Sequence, residues 1–411
     1  MRVFKFGGAS VSSAEAIRHV ANLLRKQSGR LIVVVSAMGK TTNALEDVVK
    51  KYFNRNSIGD EIEQLAKYHK QIIAELGITN HAVIKKQFNA LRKCLEKEPS
   101  LDFNYEYDRI VSFGELFSTS IISAYLNEYG LSNEWIDIRT CLRTDAVYRE
   151  ANVDWELTEN LCKKSFSTHK TLYITQGFIG ATRTNQTTTL GREGSDFTAA
   201  ILASVLNAES VSIWKNVPGV LNADPNDFDC TEKLRELSYK EAIELAYSGA
   251  KVIHPKTMKP LRNKGIPLYV RSFENPNEEG TIIHQVESKL DLPPIYIQKK
   301  NQALITLEPN DFSFVGVNEL AEVFNYFKER LIKVNLIQQS AIQFSLCIDE
   351  PEFDIQEVVS KLNKHFKVLY NSGLTLATIR YYNDKSINRM VGSRVVLMEQ
   401  RSRRTIKMVL Q

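Results

Sequence analysis

Four stretches of this sequence place glycines, cations and acids where a strand-like run hands over to a helix. In an open α/β sheet such junctions are where ligands bind. The first is Lys5-Phe6-Gly7-Gly8-Ala9-Ser10, where two glycines after a strand let backbone N–H groups approach a phosphate and Lys5 supplies a point charge. A tight turn is the competing reading. The second, Ser36-Ala37-Met38-Gly39-Lys40-Thr41-Thr42-Asn43, imitates the end of a P-loop at Gly39-Lys40-Thr41. Val34 stands where that motif needs its first glycine, which disfavours a P-loop NTPase, and no GxGxxG supports a dinucleotide site.

The third stretch is Thr187-Thr188-Thr189-Leu190-Gly191-Arg192-Glu193-Gly194-Ser195-Asp196, ahead of an alanine-rich helix. Arg192 offers a planar fork that matches a carboxylate. Ser195 or Asp196 can serve that helix as its N-cap, a role compatible with binding. The fourth runs from Trp214 to Pro225 and on to Ser248-Gly249-Ala250-Lys251-Val252-Ile253-His254-Pro255. Its Pro-Gly and Asp-Pro pairs are turn signals, Lys251 either binds an anion or complements a helix dipole, and His254 reads as a turn residue. The residue types alone point to an α/β enzyme that binds a phosphorylated ligand and a small carboxylate.

The elements that must hold these groups alternate. Residues 1–295 pass repeatedly between apolar strand-like runs and helical patterns, the signature of a largely parallel sheet covered on both faces, a three-layer α/β/α domain. Arg2–Phe6 and Leu31–Val35 read as strands, with others over 171–175, 211–214 and 267–271. Ser12-Ser13-Ala14-Glu15 reads as a capping box, and helices are expected over 196–207 and 239–248. After Pro293-Pro294 the pattern becomes strand, helix, strand, strand, given twice. It runs over Ala303–Leu307, 318–330, Lys333–Leu336 and Gln343–Ile348, then over Leu374–Arg380, 384–390, Arg394–Glu399 and Thr405–Leu410. Two small α+β modules follow, over 296–370 and 371–411, with strands open to sharing between them.

Composition excludes several classes. A hydrophobic share of 43% with 25% charged residues belongs to an ordinary globular chain. Cys94, Cys141, Cys162, Cys230 and Cys347 are scattered without zinc spacing, as reduced thiols in cytoplasm would be. No metal-ligating side chain is assigned from these spacings. Met1 leads straight into Val3–Phe6, so no signal peptide is expected, and no run reaches membrane-spanning length. A net charge of +5 is mild; its densest piece, Arg401 to Lys407, reads as a charged strand edge rather than a nucleic-acid site.

Seven segments together resemble the aspartate kinase branch of the amino-acid kinase family. They are KFGGAS at 5–10, SAMGKTTN at 36–43, SFGE at 112–115, TQGFIGAT at 175–182, TTTLGREGSD at 187–196, VPGVLNADP at 217–225 and GAKVIHPKT at 249–257. The two C-terminal modules resemble the ferredoxin-like ACT modules of that family. The resemblance implies ATP- and Mg²⁺-dependent phosphorylation of the β-carboxylate of L-aspartate to 4-phospho-L-aspartate, the first step towards lysine, threonine and methionine. It implies a cytoplasmic homodimer or larger assembly joined through the ACT modules, with no fused homoserine dehydrogenase.

Residue by residue, the resemblance implies that Lys5 meets the transferring phosphate, with Gly7, Gly8 and Ser10 shaping the nucleotide pocket. Lys215, Asn216 and Lys251 are the other ATP-side residues. Ser36, Thr42, Glu115 and Arg192 hold aspartate, Glu115 by its ammonium and Arg192 by its α-carboxylate. Asp196 orders Lys5 or a Mg²⁺, and Lys5, Asp196 and Lys251 form the catalytic set. The chain departs from the family pattern at Ala9, at Glu193 where glycine is common, and at Asn216, Leu221 and Asn226 in the nucleotide loop. Asn335 and Ala341 stand where lysine-sensing relatives carry acids, and Asn335 and Ser340 are the candidate effector residues. Weak or absent lysine inhibition follows, because a buried ammonium without a carboxylate is costly. Two alternatives stand beside this reading. One is a kinase of the same fold for another small amino acid, and the other is a non-catalytic amino-acid sensor.

Overall fold

The structure is a computed structural model that describes residues 1–167, 171–250, 253–287, 290–310, 313–314, 316–350 and 355–411. Two compact units emerge. One comprises Met1–Val220, Lys233–Ala246 and Lys251–Lys289, and the other Leu221–Glu232, Tyr247–Ala250 and Leu290–Gln411.

The first unit is built on an eight-stranded sheet. Its spatial order is Glu236–Ser238, Thr281–His284, Leu268–Ser272, Ser210–Lys215, Arg2–Phe6, Leu31–Val35, Leu172–Gln176 and Glu134–Ile136. Only the pairing of Leu268–Ser272 with Thr281–His284 is antiparallel. Leu31–Val35 is buried at every position, as a central strand covered on both faces must be. The pleat sends alternate side chains to opposite faces. Phe4, Phe6, Leu31, Val33, Val35 and Ile174 join one apolar cluster with residues of helices Ala14–Arg25, Gly59–Leu76 and Phe113–Glu128. Lys5, between Phe4 and Phe6, therefore faces the other layer, where helix Gly194–Val205 packs. Alternation alone thus aims the one cation of this strand's interior at a helix N-terminus.

Two local expectations are corrected. Ser13, not Ser12, caps the first helix, accepting from Ala16 N at 3.2 Å. Glu15 then lies too early in the helix to close a capping box. Neither Ser195 nor Asp196 is the N-cap of its helix. Glu193 is, and the helix starts at Gly194, which puts Ser195 and Asp196 inside the first turn.

The second unit is one continuous antiparallel sheet of six strands. Their order is Val334–Gln339, Phe344–Asp349, Ile295–Pro309, Phe366–Arg380, Thr405–Leu410 and Val396–Arg401. Each of the two central strands has 15 residues and serves both halves. Gln302–Pro309 pairs with the first part of Phe366–Arg380 and Ile295–Lys299 with the last part, across a register shift at Lys299 to Leu304. Ala303, Ile305 and Leu307 pack with Val323 and Phe327 of helix Val317–Glu329 and with Val358 of helix Ile355–Leu362. Tyr296, Ile379, Ile406 and Met408 pack with Met390 of helix Asp384–Val391. The helix Ile355–Leu362 has no counterpart in the expected pattern. The fold is thus a three-layer α/β/α domain followed by two α+β ACT-like modules that share their central strands.

Candidate active site

The ends of the parallel strands open into a cavity of about 690 Å³ in the first unit. It is lined by Lys5, Ser36, Thr42, Glu115, Arg192, Asp196 and Lys215 among others, seven positions singled out from sequence. Gly7, Gly8, Ser10 and Asn216 do not line it, and Lys251 lies outside the described residues.

Close backbone approach brings these groups together. A Cβ on Gly8 would stand 2.6 Å from the Ala37 carbonyl oxygen, so the turn after the first strand can nest against the Ala37–Gly39 loop only as glycine. Gly39 N donates to Gly8 O at 3.0 Å across that contact. Gly114 likewise lies where a Cβ would meet Ala37 Cβ at 2.9 Å. The first turn of helix Phe113–Glu128 is thereby pressed against the same loop, and Ala37 N donates to Glu115 Oε1 at 3.2 Å.

Glu115 is 3% exposed, and its other oxygen, Oε2, is buried with no hydrogen-bond partner. Burial pushes this carboxyl up to about 8, against the Ala37 N–H and the charge of Lys5, which pull it down. A buried acceptor left unsatisfied costs about 1–3 kcal/mol, so the site is built to be completed by a donor from outside. Arg192, at the exposed rim, has no ion pair or hydrogen bond among the described residues.

Lys5 Nζ stands 2.7 Å from Asp196 Oδ1, both side chains being nearly buried. At that separation the two side chains form an ion pair. Lys215 Nζ lies 3.9 Å from Asp196 Oδ2. The N-terminus of helix Gly194–Val205 adds its partial positive charge at the same place. One acid thus holds two lysines beside a helix N-terminus, an arrangement suited to anionic phosphate oxygens.

The sequence reading missed the support beneath the rim. Asp108 is fully buried and accepts from Arg149 N at 3.1 and 3.0 Å, Thr189 N at 2.7 Å and Thr189 Oγ1 at 2.7 Å. Burial raises its carboxyl to about 6 despite those donors. It staples Arg149, which is left-handed with φ 70° and carries its guanidinium over the Tyr107 ring at 4.4 Å, to the strand that leads to Arg192. Arg149, Glu150 and Tyr107 all line the cavity. Their segments carry no glycine or charge motif of their own, so only a three-dimensional partner reveals them.

The candidate effector residues sit in the second unit. Asn335 donates to Gln302 Oε1 at 2.7 Å and Asp349 Oδ1 at 2.8 Å, and accepts from Lys299 Nζ at 3.0 Å. Lys299 also pairs with Asp349. Ser340 closes an exposed turn, its N donating to Gln343 O at 2.8 Å and its Oγ accepting from Gln343 N at 3.2 Å. Among the described residues no cluster of three or more His, Cys, Asp or Glu is placed to hold a metal, and no helix is long and apolar enough to cross a membrane.

Known proteins share this architecture. The amino acid kinase family matches residues 1–272. Aspartokinase 2, chloroplastic, of Arabidopsis thaliana is 33% identical over 95% of the chain and 74% of its own length. Lysine-sensitive aspartokinase 3 of Escherichia coli is 32% identical over 84% of the chain and 78% of its own length. The crystal structure of E. coli aspartokinase III in complex with aspartate and ADP superposes with a TM-score of 0.82 at 27% identity, covering 100% of this chain and 96% of that one.

Proposed function

The chain belongs to the amino acid kinase family, and from that premise and the cavity's chemistry we infer that it is an aspartate kinase. It transfers the γ-phosphoryl group of ATP to the β-carboxylate of L-aspartate, giving 4-phospho-L-aspartate at the head of the lysine, threonine and methionine route.

The observation that carries the substrate assignment is the buried Oε2 of Glu115, without a partner among the described residues, in a cavity rimmed by Arg192, likewise unpaired among them. An α-amino acid supplies both missing partners. Its ammonium completes Glu115 and its α-carboxylate meets the fork of Arg192. Ser36 and Thr42, on the same wall, are suited to the remaining oxygens. An N-acylated substrate offers no ammonium, which disfavours that class.

The β-carboxylate has an unperturbed pKa of about 3.9 and needs no general base. Catalysis is then a matter of in-line positioning and of neutralising charge on the phosphoryl oxygens. Lys5 is assigned to the transferring group, a role supported by its pairing with Asp196 and by Lys215 and the helix N-terminus beside it. Lys251 is assigned to the nucleotide phosphates on the family pattern. A Mg²⁺ that enters with the nucleotide would share its phosphate charge, and Asp196, which lines the cavity, is the side chain that would hold it. Gly7, Gly8 and Ser10 shape the turn that carries the nucleotide side, and Asn216 follows Lys215 there. The ACT-like modules are the dimerisation platform in this reading, and the scattered free thiols fit a cytoplasmic setting.

The test is ADP release from ATP and Mg²⁺ with hydroxylamine present to trap the acyl phosphate. Aspartate, glutamate and N-acetylglutamate are offered in turn. Aspartate-dependent release with hydroxamate formation is expected. Nucleotide binding without release would instead favour an amino-acid sensor, a reading motivated by the altered nucleotide-loop residues Asn216, Leu221 and Asn226.

A further inference from the structure

Glu193 stands in the substrate loop where glycine is common in the family, and its backbone keeps a glycine-like conformation with φ 53°. A side-chain-bearing residue is disfavoured there. As the N-cap of helix Gly194–Val205 it offers that helix no side-chain hydrogen bond. Its carboxylate points elsewhere: Oε2 accepts from His254 N at 2.7 Å. His254 is itself a cap, its Nδ1 accepting from Lys256 N at 3.2 Å at the start of helix Pro255–Lys264. That acceptor role requires a neutral imidazole, and burial lowers the pKa of His254 accordingly.

We propose that Glu193 is a positioning residue, whose carboxylate ties the Gly191–Glu193 loop to the cap of helix Pro255–Lys264 and so fixes the aim of Arg192. The physical logic is an exchange of one constraint for another. Glycine gives the loop its left-handed turn without strain but leaves the turn free to move. Glutamate strains the turn and anchors it through a charge-assisted hydrogen bond. The neighbouring Gly194 cannot share the task, because a Cβ there would strike Phe178 Cδ2 at 2.7 Å. The inference rests on the reading of Arg192 as the α-carboxylate partner.

The experiment uses the full chain and measures the steady-state KM values for aspartate and ATP, aspartate affinity by calorimetry, and Tm. Glu193→Ala and Glu193→Gly are expected to raise the aspartate KM and Kd about tenfold, the worth of one charge-assisted bond, with the ATP KM within about twofold of wild type. Glu193→Gln, whose amide oxygen can still accept from His254 N, is expected to stay within about threefold of wild type. The double variant Arg192→Ala/Glu193→Ala is expected to be no worse than Arg192→Ala, because the tether acts through Arg192. Wild-type aspartate KM in Glu193→Gly overturns the tether, whatever its Tm. So does a Glu193→Gln variant as weak as Glu193→Ala, or an additive double variant. An unchanged aspartate KM and Kd in Arg192→Ala overturns the reading beneath it, and the tether with it.

Discussion

Two polar clusters, each at a β-sheet, differ in one respect: the cavity of the first unit is open and the cluster around Asn335 is closed. Among the described residues, a buried carboxylate oxygen of Glu115 in the cavity lacks a donor and Arg192 lacks an acceptor. In the second unit, Lys299, Asp349, Asn335 and Gln302 satisfy one another, and Gln302 is 1% exposed. Unsatisfied buried groups cost stability and persist where a ligand repays them, whereas a closed network rigidifies the fold. The same contrast appears in titration. Burial dominates at Glu115 and raises its carboxyl. At Asp349 burial also acts upward, but the donors Lys299, Gln302 and Asn335 prevail and its carboxyl is lowered.

The comparison can be broken most forcefully at Lys5. Lys5→Ala is expected to lower kcat about 10³-fold with the far-UV spectrum unchanged, since it removes the charge proposed to meet the phosphoryl group. A near-normal kcat with only a raised ATP KM would remove Lys5 from the chemistry. Next in size is the open carboxylate. Glu115→Ala is expected to raise the aspartate KM about 100-fold, as loss of a buried charge partner does. Because burial pushes the free Glu115 carboxyl up to about 8 and an ammonium beside it would pull it down again, aspartate binding at pH 7 should release up to one proton. Calorimetry in buffers of different ionisation enthalpy reads that number directly, and zero release would mean that Glu115 does not face the ammonium.

The closed cluster should answer through stability instead. Asp349→Ala is expected to cost about 1–2 kcal/mol, discounted for the partial exposure of the pair, and to leave the aspartate KM unchanged. Lysine at 1 mM, a concentration of about that order, is expected to leave activity unaffected, because the cluster already holds the ammonium of Lys299. Inhibition by sub-millimolar lysine would overturn the closed description.

The smallest effect is the pH dependence of Tm, and it has opposite signs in the two regions. Glu115 has a folded pKa raised from 4.5 to about 8, so its contribution is complete below 4.5 and is lost as pH rises through 8. Asp349 is lowered from 3.8, so its contribution is present above 3.8 and is lost as pH falls through its folded value. Glu115→Gln should therefore flatten the fall in Tm between pH 4.5 and 8, and Asp349→Asn the fall on the acid side. Profiles that superpose on wild type in either window would show that the cluster concerned does not titrate as described.

What could be read in the amino-acid order was whatever depends on near neighbours. The apolar runs mark the strands, the Gly-rich junctions mark the loops, and Lys5, Glu115, Arg192 and Asp196 announce themselves by standing in or directly beside those junctions. Seven of the selected side chains line one cavity because parallel strands all deliver their C-terminal ends to one edge of a sheet. Even the choice of face for Lys5 follows from the two-residue period between Phe4 and Phe6.

Tertiary structure decided the rest, and the reason is separation along the chain. Asp108 and Thr189 lie 81 residues apart, and nothing in either segment points to the other. Helix Ile355–Leu362 and the two 15-residue strands show how the two expected modules come to share one sheet, once pairing rather than pattern sets strand length. The cap moved from Ser195 or Asp196 to Glu193 for a similar reason. A left-handed glutamate is a poor local choice, and its bond to His254 N, 61 residues away, exists only in the folded chain. Local chemistry names the groups, and long-range contacts determine which of them are left open for a ligand.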